Sequence, residues 1–115
     1  MKTSEAVAAL AALAQDKRLS VYRLLVQQGE SGLAAGEIAA ALAVTPATLS
    51  FHLKELAHAR LVRARHEGRY IYYSADFAAM RELIDFLTEK CCGSDARACL
   101  PARTAPRPAR VRARG

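Results

Sequence analysis

Apolar residues recur with helical spacing in five segments of the chain, which predicts five helices. The segments cover about residues 3–14, 17–28, 35–42, 46–60 and 77–91. The first is mostly alanine, which favours a helix but offers little volume to a core. The others carry leucine, isoleucine, valine and aromatic side chains on one face. The pattern therefore predicts a mainly α-helical protein whose helices pack against one another.

Residues at the ends of these segments indicate where the helices begin and end. Asp16 and Asp76 are candidate N-caps, because a carboxylate oxygen can accept a hydrogen bond from a first-turn amide. Thr45 can cap the fourth helix, and Pro46 suits its first position, where no amide hydrogen is needed. Gly29 is expected to end the second helix. The third and fourth helices follow each other closely, which predicts a helix-turn-helix.

The pattern changes from helical to alternating between the fourth and fifth helices. Glu67-Gly68 lies at the middle of this stretch, which predicts a β-hairpin over residues 61–75. Two strands alone are not stable in water, so the hairpin must pack on the helices. One side of the hairpin would carry Val62, Ala64, Ile71 and Tyr73, and the other side Arg63, Arg65, Tyr70 and Tyr72.

The net charge of +6 is distributed unevenly along the 115 residues. Residues 100–115 contain five arginines and no acid, so the first 99 residues carry a net charge of only +1. Proline, alanine and arginine without periodicity predict a disordered tail. The tail could add phosphate contacts or do nothing specific. Total charge therefore does not by itself indicate a nucleic-acid binder.

Other bulk features predict a single-domain cytoplasmic protein. There is no apolar run of about 18 residues, so no membrane partner is expected. The first residues lack the layout of a signal peptide. The three cysteines fall within nine residues of one another. An odd number of cysteines in a cytosolic chain argues against a disulfide framework.

Three stretches of this sequence together resemble the ArsR/SmtB family of metalloregulatory winged-helix repressors. They are LAQDKRLSVYRLLVQQG (13–29), GEIAAALAVTPATLSFHLKELAHARLV (36–62) and RHEGRYIYYSA (65–75). The resemblance covers about residues 5–92, and Lys17 departs from it, because the family often has proline there. It implies a dimeric winged helix-turn-helix, mainly α with a small β-hairpin, over residues 1–92. It also implies a DNA-binding repressor and not an enzyme.

The resemblance assigns contact with double-stranded operator DNA to the fourth helix and to the hairpin, which would be the wing. Near the wing, His66, Arg69, Arg63 and Arg65 suit phosphate or minor-groove contact. The alternative is that these are ordinary solvated positions, with Phe51 in the core and the wing charges keeping an edge strand soluble. The helix residues that would face the major groove are Thr45, Thr48, Ser50, Phe51 and His52.

The last predicted helix has a heptad-like apolar spacing of 3, 4, 3 and 4, typical of a helix that packs along another helix. The resemblance implies that it forms a homodimer interface with the alanine-rich first helix. Such a dimer would hold two recognition helices about 34 Å apart. The alternative is that both helices only cover the monomer core. The spacing is that of Phe77, Met80, Ile84, Leu87 and Cys91.

Cys91, Cys92 and Cys99 form the candidate metal site, the last of them in a ligand loop over residues 93–100. Three thiolates without a nearby histidine suit trigonal coordination of As(III) or Sb(III), whereas zinc would prefer a fourth ligand. A redox or persulfide sensor, another soft metal and incidental cysteines are the alternatives.

Two metal sites that the family uses elsewhere are absent from this sequence. No histidine follows His66, so the zinc site of some relatives on the last helix lacks its ligands. Positions 34–38, where the family's arsenic-sensing motif carries cysteines, read AAGEI. The expected function is therefore operator release when trivalent arsenic or antimony binds the three cysteines. The rival function is a redox- or persulfide-sensing repressor that uses the same cysteines. With either function, residues 101–115 are expected to form the disordered tail.

Overall fold

A computed structural model describes residues 1–90, which contain five helices and a three-stranded antiparallel sheet. The predicted order of four helices, a hairpin and a last helix is confirmed. None of the described helices is long and apolar enough to cross a membrane. In chain order the elements are α1 (Thr3–Leu13), α2 (Asp16–Gln28), β1 (Leu33–Ala34), α3 (Ala35–Leu42), α4 (Pro46–His58), β2 (Val62–Glu67), β3 (Tyr70–Ala75) and α5 (Phe77–Leu87).

Side-chain caps set the start of two helices as the sequence predicts. The Thr45 hydroxyl accepts the amide hydrogen of Thr48 at 3.2 Å, and Pro46 follows as the first residue of α4. At α5, the Asp76 carboxylate accepts the amide hydrogen of Ala79 at 3.0 Å. These ends are fixed by residues at most three positions apart, which is why local reasoning finds them.

Two predicted helix ends need correction. The N-cap of α2 is Gln15 and not Asp16, because Gln15 is the last extended residue and its side chain accepts the Arg18 amide at 2.9 Å. The last helix ends at Leu87, four residues before the predicted end at 91. Lys90 has a φ of +56°, a conformation outside the right-handed helix. The cysteine positions lie beyond the described residues.

The sheet has β3 at its centre, with β1 on one side and β2 on the other. Ala64 pairs with Tyr73, and Arg65 pairs with Tyr72, so the predicted division of the hairpin into two faces is confirmed. Strand β1 was not expected. It is two residues long, pairs Leu33 with Tyr73, and ties the turn after α2 to the base of the hairpin.

The core lies where α2, α3 and α4 meet the base of the hairpin. The buried residues of helix α1 are Ala6, Ala9 and Ala12, and their small side chains let α1 approach closely. This packing positions α4, because three of its leucines are almost completely inaccessible to solvent. The largest fully buried side chains are Val21, Leu25, Ile38, Leu49, Leu56 and Leu61.

The apolar residues of α5 divide between the core and the surface. Phe77 and Met80 are half-buried against the core, and Leu83 is buried. Ile84 and Leu87 are exposed instead, at 39% and 57%. Helix α5 packs against α1, and α1 also exposes large apolar side chains. These are Val7 and Leu10.

Candidate nucleic-acid interface

The first turn of α4 is held by a pair of threonine hydroxyls. Thr45 accepts the Thr48 amide hydrogen, and its own hydroxyl donates to the Thr48 hydroxyl oxygen at 2.9 Å. Before this turn, Ala43 has a φ of +54°, which ends α3 and redirects the chain. The Thr45 hydroxyl is therefore committed to capping, while Thr48 is exposed and can still donate its hydroxyl hydrogen outward.

The outward face of α4 is centred on a stripe of four exposed or half-exposed positions that lies opposite its buried leucines. A helix turns about 100° per residue, so residues spaced 4, 3 and 4 apart share one face. Phe51 stands in this stripe and is 55% exposed, so the alternative that placed it in the core is wrong. Thr48 and Ser50 flank it, both exposed. The outward stripe consists of Ala47, Phe51, Lys54 and His58.

His52 is the one predicted groove residue that the structure places inside the protein. It is 6% exposed and lies on the same face as Leu49 and Leu53. Desolvation, with the nearby charges of Arg18 and Lys17, lowers the pKa of this histidine. The prediction that His52 faces the groove is contradicted, because a residue three positions after Leu49 points inward with it.

The hairpin presents a short, exposed tip. Gly68 and Arg69 form its turn, and Gly68 has a φ of +63°, which glycine adopts without strain. This places the turn one residue later than the predicted centre at Glu67-Gly68. His66 and Arg69 are both exposed at the tip, where they are available to a phosphate or a groove.

Arg65 differs from the other wing arginines because its side chain is held by the protein itself. Its Nε donates to the Glu67 carboxylate at 2.7 Å, and its Nη2 donates to the Ser31 carbonyl at 3.2 Å. Its guanidinium also lies over the Tyr72 ring, 5.3 Å from the centroid. These contacts join the wing to the turn after α2. Arg65 therefore positions the wing, whereas exposed Arg63 is available for contact.

Positive charge is concentrated in the segment that contains α4 and the wing. Residues 46–75 contain five basic and two acidic side chains, although the first 99 residues are nearly neutral. One of the two acids, Glu67, is paired with Arg65. The chemistry available here is phosphate contact by exposed cations, together with hydroxyl and apolar contacts to base edges.

The predicted DNA-contact residues omit three members of the outward stripe, Ala47, Lys54 and His58. The signal was available, because all three are spaced from Phe51 as one helical stripe. No group of three or more histidine, cysteine or acidic side chains could hold a metal ion within residues 1–90. The predicted ligands Cys91, Cys92 and Cys99 lie outside that range.

Comparison with protein families matches residues 13–65 to a helix-turn-helix domain. Among curated proteins, the chain is similar to the transcriptional activator HlyU of Vibrio cholerae serotype O1. The two are 28% identical over 90 residues, which cover 78% of this chain and 81% of HlyU.

Solved structures share the fold over most of their length. An ArsR-like transcriptional regulator from Rhodococcus sp. RHA1 has a TM-score of 0.69 and 25% identity, covering 89% of this chain and 93% of its own. A homodimeric winged helix-turn-helix DNA-binding domain from Mycobacterium bovis, a possible ArsR-family regulator, has a TM-score of 0.60 and 32% identity. The match covers 76% of this chain and 81% of that domain. The antimony-specific transcriptional repressor AntR has a TM-score of 0.59 and 33% identity, and the match covers 82% of this chain and 81% of AntR.

Proposed function

The chain belongs to the ArsR family of winged-helix transcriptional regulators, and we propose that it is a homodimeric repressor induced by trivalent antimony or arsenic. The observation that carries the DNA-binding part is the surface of α4. Its buried leucines fix the helix, and the face with Thr48, Ser50 and Phe51 is left exposed beside a basic wing. A recognition helix must be held in this way, because its base contacts depend on its angle to the groove.

The proposed dimer uses α1 and α5. These helices pack together and expose Val7, Leu10, Ile84 and Leu87, more large apolar surface than a small monomer needs to show. The related Mycobacterium bovis domain is homodimeric. A two-fold axis through this surface would leave α4 and the wing of each protomer outward, so that both could contact one face of a palindromic operator.

Repression is proposed in preference to activation because of the inducer chemistry. HlyU is an activator and AntR is a repressor, so membership of the family does not by itself decide the direction. Three cysteines that follow α5 offer a soft donor set, and AntR is antimony-specific. Trivalent antimony and arsenic prefer three thiolates, so Cys91, Cys92 and Cys99 fit the chemistry of such an inducer.

The proposed regulation is a coupling between the cysteines and the operator. Cys91 is four residues beyond Leu87, the last residue of α5, and α5 belongs to the proposed dimer surface. The inducer is proposed to prefer a dimer arrangement that the operator does not. Linkage then requires that the inducer lowers operator affinity by the same factor by which the operator lowers inducer affinity. A coupling of about 5- to 150-fold would be ordinary for such a system.

The test is operator release by the reduced protein. Arsenite and antimonite are each titrated into the complex in the presence of a non-chelating reductant, with anisotropy of labelled operator as the readout. Release is expected for the natural sequence and is expected to be lost in Cys99→Ser. Ser94→Ala, in the same segment, serves as the matched control and should still release. The inducer proposal fails if both metalloids leave the complex intact, or if Cys99→Ser releases normally.

The second candidate function is redox or persulfide sensing by the same cysteines, since clustered thiols also oxidise. The same assay separates the two, because a redox sensor releases operator with an oxidant or a persulfide donor and no metalloid. Mass measurement then distinguishes them. A trivalent metalloid hydroxide that binds three thiols keeps one arsenic or antimony on the protein, and the three thiol protons leave with its hydroxides as water. Disulfide formation instead transfers two hydrogens to the oxidant and adds no mass.

A further inference from the structure

Phe51 is an unusual side chain for an outward helix position. It is 55% exposed, and its only aromatic neighbour among the described residues is the tilted ring of His52, with centroids 5.7 Å apart. His52 is itself buried, so the contact holds one edge of the Phe51 ring and leaves the remainder facing solvent. Single exposed apolar side chains are common on protein surfaces, so the exposure of Phe51 does not by itself indicate a ligand, and its position on α4 carries the inference.

The position of Phe51 indicates what would meet it. Ala47, one turn earlier in the same stripe, is also exposed and apolar. The first turns of a recognition helix are the part that approaches base edges. The apolar group that a base presents in the major groove is the 5-methyl group of thymine, and alanine and phenylalanine side chains are suited to contact it.

We infer that Phe51 determines sequence specificity by contacting a thymine 5-methyl group in each operator half-site. The inference rests on the proposed function, because it needs α4 to enter the major groove. The inference adds to that function the chemical feature of the base, a methyl group, that Phe51 recognises. Exposed Thr48 and Ser50 beside the ring can reach neighbouring hydrogen-bonding groups, and Lys54, which follows Phe51 in the stripe, can reach a phosphate.

The experiment begins with a duplex enriched by the full-length protein from random-sequence DNA. Each thymine of that duplex is then replaced by deoxyuridine, which removes the 5-methyl group and leaves the hydrogen-bonding groups unchanged. At one thymine in each half-site, the replacement is expected to weaken binding about fourfold, the contribution of one buried methyl group. Replacing that T·A pair by C·G should weaken binding, and 5-methylcytosine at the same place should recover part of the loss.

Phe51→Ala is expected to bind the thymine and deoxyuridine duplexes equally, because the alanine side chain ends at Cβ and no longer reaches the position of the phenylalanine ring. Lys54→Ala is the matched control on the same helix face. It should weaken binding to both duplexes alike, lower the salt dependence by about one ion per protomer, and keep the discrimination. Circular dichroism and thermal melting check that each variant is folded, which the exposure of both side chains favours.

The outcomes separate this inference from the function on which it rests. If no duplex is enriched, the proposed operator binding fails and the inference fails with it. If a duplex is enriched but deoxyuridine changes binding nowhere, operator binding stands and the reading by Phe51 is overturned. Discrimination that survives in Phe51→Ala also overturns it, because another side chain would then contact the methyl group.

Discussion

Gly32 is expected to be the least replaceable glycine that the structure describes. Its φ is +75°, and an added Cβ would lie 2.5 Å from the Tyr73 carbonyl oxygen and 3.0 Å from the carbonyl carbon. Both atoms belong to the backbone of the central strand, so neither can turn away. Gly32 directly precedes β1, and relief of the clash would separate Leu33 from its partner Tyr73.

The magnitude of Gly32→Ala follows from two contributions. The left-handed φ costs an alanine about 1–2 kcal/mol. Forcing a methyl group into a packed site adds about 1–3 kcal/mol. The total, roughly 2–5 kcal/mol, is a large share of the stability of a domain of this size. At about 4–8 °C per kcal/mol, the midpoint of thermal unfolding should fall by at least about 8 °C.

Gly68→Ala isolates the backbone contribution. Gly68 has a φ of +63° with nothing within 4 Å of an added Cβ, so only the conformational cost of about 1–2 kcal/mol applies. Thermal unfolding of both variants at one protein concentration tests the difference. If Gly32→Ala unfolds within a few degrees of Gly68→Ala, the strand tolerates the methyl group. The reasoning from close backbone approach would then be refuted.

Three further predictions concern the wing, the cap and pH. Arg65→Ala should weaken operator binding and speed amide exchange in the wing, because it removes the contacts to Glu67 and to the turn after α2. Arg63→Ala removes an exposed charge, so it should weaken binding and lower its salt dependence but leave amide exchange unchanged. Equal exchange in both variants would contradict the positioning role of Arg65. Thr45→Ala should cost about 1 kcal/mol in urea unfolding, and Thr45→Ser almost none, since the cap needs only the hydroxyl; equal losses would assign the effect to something other than the cap. Burial lowers the pKa of His52, so the unfolded chain binds a proton there more readily, and stability should fall as pH drops through about 6.5 and level off below the folded pKa. His52→Gln should make stability depend less on pH than it does in His66→Gln, the variant at an exposed site. An unchanged pH dependence in His52→Gln would exclude His52 as its source.

Part of the candidate site could be predicted from the sequence because it depends on near neighbours. The start of α4 depends on Thr45 and Pro46, and exposure of the helix face depends on the spacing of its leucines. The division of the hairpin into two faces depends on alternation along its strands. Each of these relations spans a few residues, so the physical cause is present in the sequence itself.

Phe51 and His52 show where that reasoning ends. Both are aromatic, adjacent and compatible with either environment, and the sequence prediction grouped them as groove residues. The packing of α4 against the protein turns Phe51 outward and His52 inward. The choice depends on how the helix is rotated about its axis, and contacts with distant elements set that rotation. Neighbouring residues point about 100° apart around a helix, so the rotation of α4 that buries His52 leaves Phe51 exposed.

The sequence by itself determined the order of the elements, the capped start of α4 and the two faces of the hairpin, because these follow from local hydrogen bonding and periodicity. Only the tertiary structure decided the short strand β1, the close approach of Gly32 to Tyr73 and the anchoring of Arg65 on Ser31. Those three contacts join the turn after α2 to a hairpin more than 30 residues later. A two-residue strand has no periodicity of its own, so its pairing exists only once the chain has folded.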